Sequence, residues 1–294
     1  MTTITIDQTT CIGCGQCVND CFPKNLRLEN GKAVVDGLCM ECGHCYAVCP
    51  TGAVTMEGYA TDSVLDCKAD VSVASGDALL HTIKMRRSIR QFKEQAVARD
   101  VLARIIEAGR FTPTGGNMQD VRYTVVQENL QVFKDAIWEG FPTAVENAKK
   151  TMPEGHRMVR TLERLLKEHQ DNPKEDGLFF NAPAVLIMTN GSMLNAGLAA
   201  SNVELMAHAD GLGVLYSGFI RLALANNPAL CDKLGLKPEH ICVCMLVGYP
   251  AVGIPTYHAT QRSRREVVLS SHKKDDFPKE EIVFFCGELM ERIV

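Results

Sequence analysis

An excess of charge of one sign, long apolar runs and a leader-like start are all missing from this sequence, and each absence closes off a class of function. The 294 residues carry 31 basic against 35 acidic side chains, a formal net charge of -4. Without a basic surplus to neutralise phosphates, nucleic acid is not an expected partner. No apolar run approaches the ~18 residues of a membrane span, so no membrane partner is expected. The opening MTTITIDQTT has neither a basic flank nor an apolar core, and the expectation is a cytoplasmic protein. Disorder is excluded as well, because 46% apolar and 22% charged residues are ordinary for a globular chain.

Cysteine is what the chain has in quantity. Eight of its 13 cysteines fall into two rows, Cys11, Cys14, Cys17, Cys21 and Cys39, Cys42, Cys45, Cys49, each member of the second lying 28 positions after its counterpart. Both rows read C-x2-C-x2-C-x3-C, a duplicated unit. Structural zinc would use four ligands, commonly as two separated pairs, and leaves no place for a third cysteine at the same spacing in each row. A disulfide framework belongs to small secreted domains, and this chain is long enough to build a core. The remaining Cys67, Cys231, Cys242, Cys244 and Cys286 show no ligand spacing and read as reduced thiols.

The duplicated run, with Pro50 directly after Cys49, resembles that of bacterial two-cluster ferredoxins. The resemblance implies two [4Fe-4S] clusters with crossed ligands: Cys11, Cys14, Cys17 and Cys49 on one, Cys39, Cys42, Cys45 and Cys21 on the other. The glycines at 13, 15 and 43 leave backbone room for sulfides. The first row departs from the pattern, since Phe22 separates Cys21 from Pro23. Residues 1–60 hold three basic against six acidic side chains, so a basic patch is expected on any redox partner. Strands at 3–6, 33–35 and 53–56 frame the rows.

After a connector at 61–77, a second domain is expected over 78–294. A short helix at 77–85 leads into RRSIRQF. There Arg86, Arg87, Ser88 and Arg90 crowd four phosphate-capable donors into five positions. A helix follows at 101–108, then PTGGNMQ at 113–119. Alternation predicts a strand at 122–126. Helices are expected at 130–138 and 155–168, a buried strand at 184–188 and a long helix at 194–209. GLGVLYSGF follows at 211–219. It is not a dinucleotide fingerprint, because its third glycine falls too late and the run follows a helix. A buried strand is expected at 241–247 and a charged loop at 273–281.

RRSIR followed some two dozen residues later by P-T-x-x-N-x-Q resembles the FMN-dependent nitroreductase family. The resemblance implies an α+β fold around a mixed, mostly antiparallel sheet, assembled as a homodimer. It implies FMN held by Arg86, Arg87, Ser88 and Arg90 at the phosphate and ribityl chain, by Pro113, Thr114 and Asn117 beside the ring, and by Arg262 and Arg264 from far along the chain. Leu215, Ser217 and Gly218 match the loop that passes over the flavin, and Asn117 would donate to the ring's edge. Asp120-Val121 replaces the family's common Pro-Trp. The 130–180 segment, with Trp138, Phe141, His156, Phe179 and Phe180, often covers the flavin or touches the partner subunit in that family, although each aromatic here reads first as a packing residue. The two resemblances together imply an oxidoreductase in which ferredoxin or NAD(P)H supplies electrons, two clusters relay them to FMN, and a small acceptor (nitroaromatic, quinone or activated alkene) receives them. An electron carrier without a small substrate is the alternative.

Overall fold

The computed structural model describes residues 4–58 and 74–253, with two further strands at 267–269 and 283–285. The amino-terminal part runs β1 (Ile4–Ile6), α1 (Gln16–Asp20), β2 (Leu26–Glu29), β3 (Lys32–Val35), α2 (His44–Ala47) and β4 (Val54–Met56). β1 pairs antiparallel with β4, Ile4 opposite Met56. β2 and β3 form a hairpin whose turn, Asn30-Gly31, has both residues at positive φ, the conformation that matches strand twist in a two-residue loop. The short helices repeat with the cysteines. α1 and α2 each start from a left-handed glycine, Gly15 and Gly43, both at φ 74°. These glycines are therefore needed for backbone conformation, which a side chain at Cβ opposes. A small core of Ile4, Leu26, Ala33, Val54 and Met56 closes around the buried cysteines.

The larger part runs α3 (Gly76–Met85), α4 (Arg99–Arg110), β5 (Arg122–Val126), α5 (Leu130–Thr151), α6 (Arg157–Asp171), β6 (Ala184–Thr189), α7 (Met193–Ala209), β7 (Gly213–Tyr216), α8 (Gly218–Ala225), α9 (Pro228–Leu234) and β8 (Ile241–Gly248). Its sheet has the order β5-β6-β8-β7 with antiparallel neighbours throughout, and a parallel bridge joins Ser88 to Val214. β6 is buried on both faces, which is why it reads as an unbroken apolar run. Ala184, Leu186 and Met188 meet α4 and α7 on one face, through Leu102, Ile105, Ala200 and Val203. Val185 and Ile187 meet α5, α6 and α8 on the other, through Phe141, Leu162 and Ile220. The result is a helix-sheet-helix sandwich.

Two expectations needed correction. The helix expected to stop at 138 continues to Thr151 with Pro142 inside it. An interior proline costs about 3 kcal/mol, but the second half of α5 buries Phe141, Ala144, Val145 and Ala148, and that burial outweighs the lost hydrogen bond. GLGVLYSGF, matched to a loop, is strand β7 followed at once by α8. Among the described residues no helix is long and apolar enough to cross a membrane. Residues 254–294 form a separate unit, where β9 (Val267–Leu269) pairs antiparallel with β10 (Val283–Phe285). Arg262, Arg264, Cys67, Cys286 and the charged stretch at 273–281 lie outside the described residues.

Candidate functional site

The turns of the small part bring the eight cysteines together as two sets of four. One cavity is lined by Cys11, Cys14, Cys17 and Cys49 among apolar neighbours including Ile6, Ala33 and Val54. The other is lined by Cys21, Cys39, Cys42 and Cys45, with Met40 and Asn25. These are the crossed sets. Burial pushes the Cys17 thiol up, and the neighbouring Cys49, Cys11 and Cys14 add to it. Burial likewise raises Cys45 to about 11. At Cys49 the rise from burial is outweighed by donors from Thr51, Ala53 and Val54, and the thiol is lowered. Backbone N–H groups reach two sulfurs directly, Ala53 to Cys49 and Glu41 to Cys39, both at 3.2 Å. Such donors favour charged sulfur and tune iron-sulfur centres. Among the described residues no three His, Cys, Asp or Glu side chains converge on one ion. Each cavity is lined by four thiols and closed by apolar neighbours, a donor set that fits a [4Fe-4S] cluster.

The basic run is fixed against β7. The Ile89 N–H donates to Val214 O at 3.0 Å, and Ser88 bridges Val214. Arg86, at the end of α3, places Nη1 2.8 Å from Glu204 Oε1 on α7. Glu204 is buried and is also hydrogen bonded to Tyr216. Burial, reinforced by the Glu204 charge, pushes the Tyr216 hydroxyl well up. Burial and then the Arg86 charge hold His208, one turn on, below its ordinary value. Ser88 and Arg90 are exposed, and Arg87 is half-buried.

PTGGNMQ forms a tight 3-10 turn with Gly116, Asn117 and Gln119 all at positive φ. It is mounted on the other end of α7, where Asn195 Oδ1 accepts the Gly115 N–H at 3.3 Å. Thr114 Oγ1 accepts the Gln119 N–H at 2.9 Å, and Pro113 is exposed. Asn195 and Glu204 are nine positions apart, so α7 holds the loop and the basic run roughly 14 Å from each other along its axis. That spacing suits an elongated ligand with an anionic end. The Asn117 Nδ2 donates to Met40 O at 3.0 Å and to Glu41 O at 2.9 Å, both in the loop between Cys39 and Cys42. Both amide hydrogens thus go to the cysteine loop and none is left for a ring edge.

These features, a ferredoxin-like module whose second cysteine loop is hydrogen bonded to a loop on an antiparallel α+β sandwich, have counterparts among known proteins. Residues 83–249, more than half of the chain, match the Nitroreductase family. The chain belongs to the nitroreductase family. Residues 3–50 match the 4Fe-4S dicluster domain, so this member is a fusion. An NADPH-dependent oxidoreductase of Staphylococcus aureus strain MRSA252 is 24% identical over 183 residues, 60% of this chain and 66% of that protein. One from Staphylococcus haemolyticus is 26% identical over the same shares. The chain thus spans slightly under two thirds of the length of these relatives. The crystal structure of a Bacteroides fragilis nitroreductase with bound FMN overlays with a TM-score of 0.50 at 20% identity, covering 65% of this chain and 98% of that one.

Against the nitroreductase expectation, the residues of GLGVLYSGF divide. Leu215 is buried in the core beside α8. The Ser217 N–H donates to Cys244 O at 2.8 Å while its hydroxyl accepts the Ile220 N–H as the cap of α8. Gly218 is exposed at the first position of α8, where N–H groups have no partner within the helix. In the 130–180 segment the aromatics pack. Phe141 and Phe179 are fully buried, and Trp138 stacks on His169 with ring centres 3.9 Å apart. His156 caps α6. This segment covers the sheet face opposite α4 and α7. Glu204, Asn195 and the Met40 and Glu41 carbonyls were not foreseen. One signal was available, because Glu204 is the only charged residue in seventeen of otherwise apolar or neutral α7.

Proposed function

We propose that this chain is a flavin-dependent oxidoreductase that takes electrons from ferredoxin or NAD(P)H, carries them through two [4Fe-4S] clusters to FMN, and reduces a small acceptor such as a nitroaromatic, a quinone or an activated alkene. The observation that carries the reading is the pair of hydrogen bonds from Asn117 to Met40 and Glu41, which ties the loop expected beside the flavin to the backbone of the second cysteine set. The family membership, the dicluster match and the FMN in the Bacteroides fragilis structure support the same cofactors here. When bound, FMN supplies the exchange between single electrons and the two-electron reduction of an organic acceptor.

The chain's own residues have separable tasks. Arg86, Arg87, Ser88 and Arg90 offer guanidinium and hydroxyl donors to the phosphate, with Glu204 fixing the Arg86 fork. Pro113 and Thr114 shape the ring's side of the site. The open end of α8 at Gly218 supplies backbone N–H donors to an electron-rich edge. Asn117 holds the relay loop in place. A homodimer fits the surface: α7 has no separate polar face and leaves Met193, Leu194 and Leu198 exposed, as α3 leaves Leu79, Leu80 and Ile83. A helix without a polar face is ordinarily covered all round.

The test is anaerobic stopped-flow. Reduced ferredoxin is mixed with fully loaded protein, and flavin bleaching is followed in the native chain and in Cys42→Ser, before nitro, quinone and enone acceptors are added. Bleaching should slow at least tenfold in the variant. Equal rates would show that the clusters are bypassed, and a protein that holds no flavin would end the enzyme reading.

A further inference from the structure

The two cysteine rows are finished differently. Cys21 and Cys49 close them, and four places on stand Asn25 in the first row and Ala53 in the second. At Cys49 the sulfur accepts the Ala53 backbone N–H at 3.2 Å. Cys21 receives no such backbone donor among the described residues. Its sulfur lies instead 2.5 Å from Asn25 Oδ1, with the thiol donating. Pro50 follows Cys49 at once, whereas Phe22 moves Pro23 one place on, yet the turn after each cysteine keeps its left-handed position, at Lys24 and at Gly52.

Asn25 is 3% exposed and lines the cavity of Cys21, Cys39, Cys42 and Cys45. Its Nδ2 is buried with no hydrogen-bond partner. A buried donor left unpaired costs about 1–3 kcal/mol, so its retention calls for a partner that the free chain does not provide. A thiol can donate to Oδ1, but iron is held by thiolate, which has no hydrogen to give. Turning the amide through half a turn resolves both problems, because Nδ2 then donates to sulfur, and the amide's O and N are interchangeable by such a flip. Oδ1 moves to the unpaired position, where an under-satisfied acceptor is better tolerated than an orphaned N–H.

We propose that Asn25 is a positioning residue of the second cluster, its Nδ2 donating to the iron-bound Cys21 sulfur and raising that cluster's reduction potential, in the role that the Ala53 N–H fills at Cys49. The donor stabilises the added negative charge when the cluster takes up one electron. One electron is lost by the donor or first cluster and one gained by the second; no bond is made or broken and no proton moves. The consequence for flavin reduction rests on the relay proposed above. The hydrogen bond itself needs only the clusters.

The experiment is an EPR-monitored redox titration of the fully loaded chain, of Asn25→Ala, and of Asn25→Leu, which fills the same space without the donor. In both variants one of the two cluster transitions should move to lower potential by about tenfold in its one-electron equilibrium constant, ~59 mV, while the other stays. Unmoved transitions at full iron content overturn the proposal, as does an equal fall in both, or a fall in Asn25→Ala that Asn25→Leu lacks. If one variant fails to hold its iron the other decides, and loss of iron from both assigns Asn25 to folding alone and overturns the tuning role. Flavin bleaching by reduced ferredoxin in the same samples reads the relay separately. A shifted potential with an unchanged rate keeps the role of Asn25 and removes the relay; unshifted potentials with cluster-dependent bleaching do the reverse.

Discussion

Replacing Asn117 by glycine removes both hydrogen bonds to the second cysteine loop without disturbing the backbone, since glycine accepts the φ of 54° that Asn117 adopts. Each neutral hydrogen bond contributes about 1 kcal/mol net. Two of them come to about 2 kcal/mol, or roughly thirtyfold in the equilibrium between a docked and an undocked loop. Asn117→Ala should cost about 1 kcal/mol more, because a Cβ is strained at that φ. Hydrogen exchange of the peptides covering 38–43 and 114–119 measures the equilibrium directly. Exchange should accelerate roughly thirtyfold in the glycine variant, and further in the alanine variant, while the peptides of β6 and β8 stay protected. Bleaching of the flavin by reduced ferredoxin should slow in step, with direct chemical reduction of the flavin unchanged. Exchange unchanged from the native chain, with flavin lost instead, would refute the reasoning and put the amide on the ring.

Two further outcomes test the buried network on α7. Arg86→Ala leaves the Glu204 side chain, 9% exposed, as an unpaired buried charge; a loss of about 3 kcal/mol in urea unfolding of the flavin-free chain is expected, with Glu204→Gln in the same background restoring most of it. Burial and the Arg86 charge hold His208 below its ordinary value near 6.5. The unfolded chain therefore binds this proton first, so the stability His208 confers is complete above pH 6.5 and falls as pH drops below it. The urea midpoint should fall between pH 7.5 and pH 5.5, and His208→Asn should flatten the slope.

Much of this architecture was legible because periodic burial leaves a direct mark. The alternation at 122–126 gave β5 to the residue, and the apolar runs at 184–188 and 241–247 gave β6 and β8 within a residue of their ends. Asn30-Gly31 and the fused β7 and α8 were harder. β7 is only four residues long and has no alternation of its own, being set by pairing with β8 and by the parallel bridge to Ser88. The second half of α5 was hidden by Pro142, a local signal overridden by burial. Residue types gave the site's chemistry, whereas its joints depend on backbone carbonyls, and a carbonyl such as Met40 O or Glu41 O has no signature in sequence.

The 28-residue repeat makes the two cysteine rows look interchangeable, yet only the second takes the hydrogen bonds of Asn117. Gly13 and Glu41 occupy the same place in the repeat and share a left-handed backbone. A Cβ at Gly13 would lie 2.0 Å from Gly31 O, so the turn of the β2–β3 hairpin closes over the first loop and demands glycine there. Within residues 4–58 no hairpin covers the second loop, a side chain is tolerated at Glu41, and the Met40 and Glu41 carbonyls accept from Asn117. The hairpin inserted between the two rows therefore breaks the symmetry of the duplicated module. It closes over the first loop and leaves the carbonyls of the second to Asn117, while Asn25 lines the cavity of that same second cysteine set.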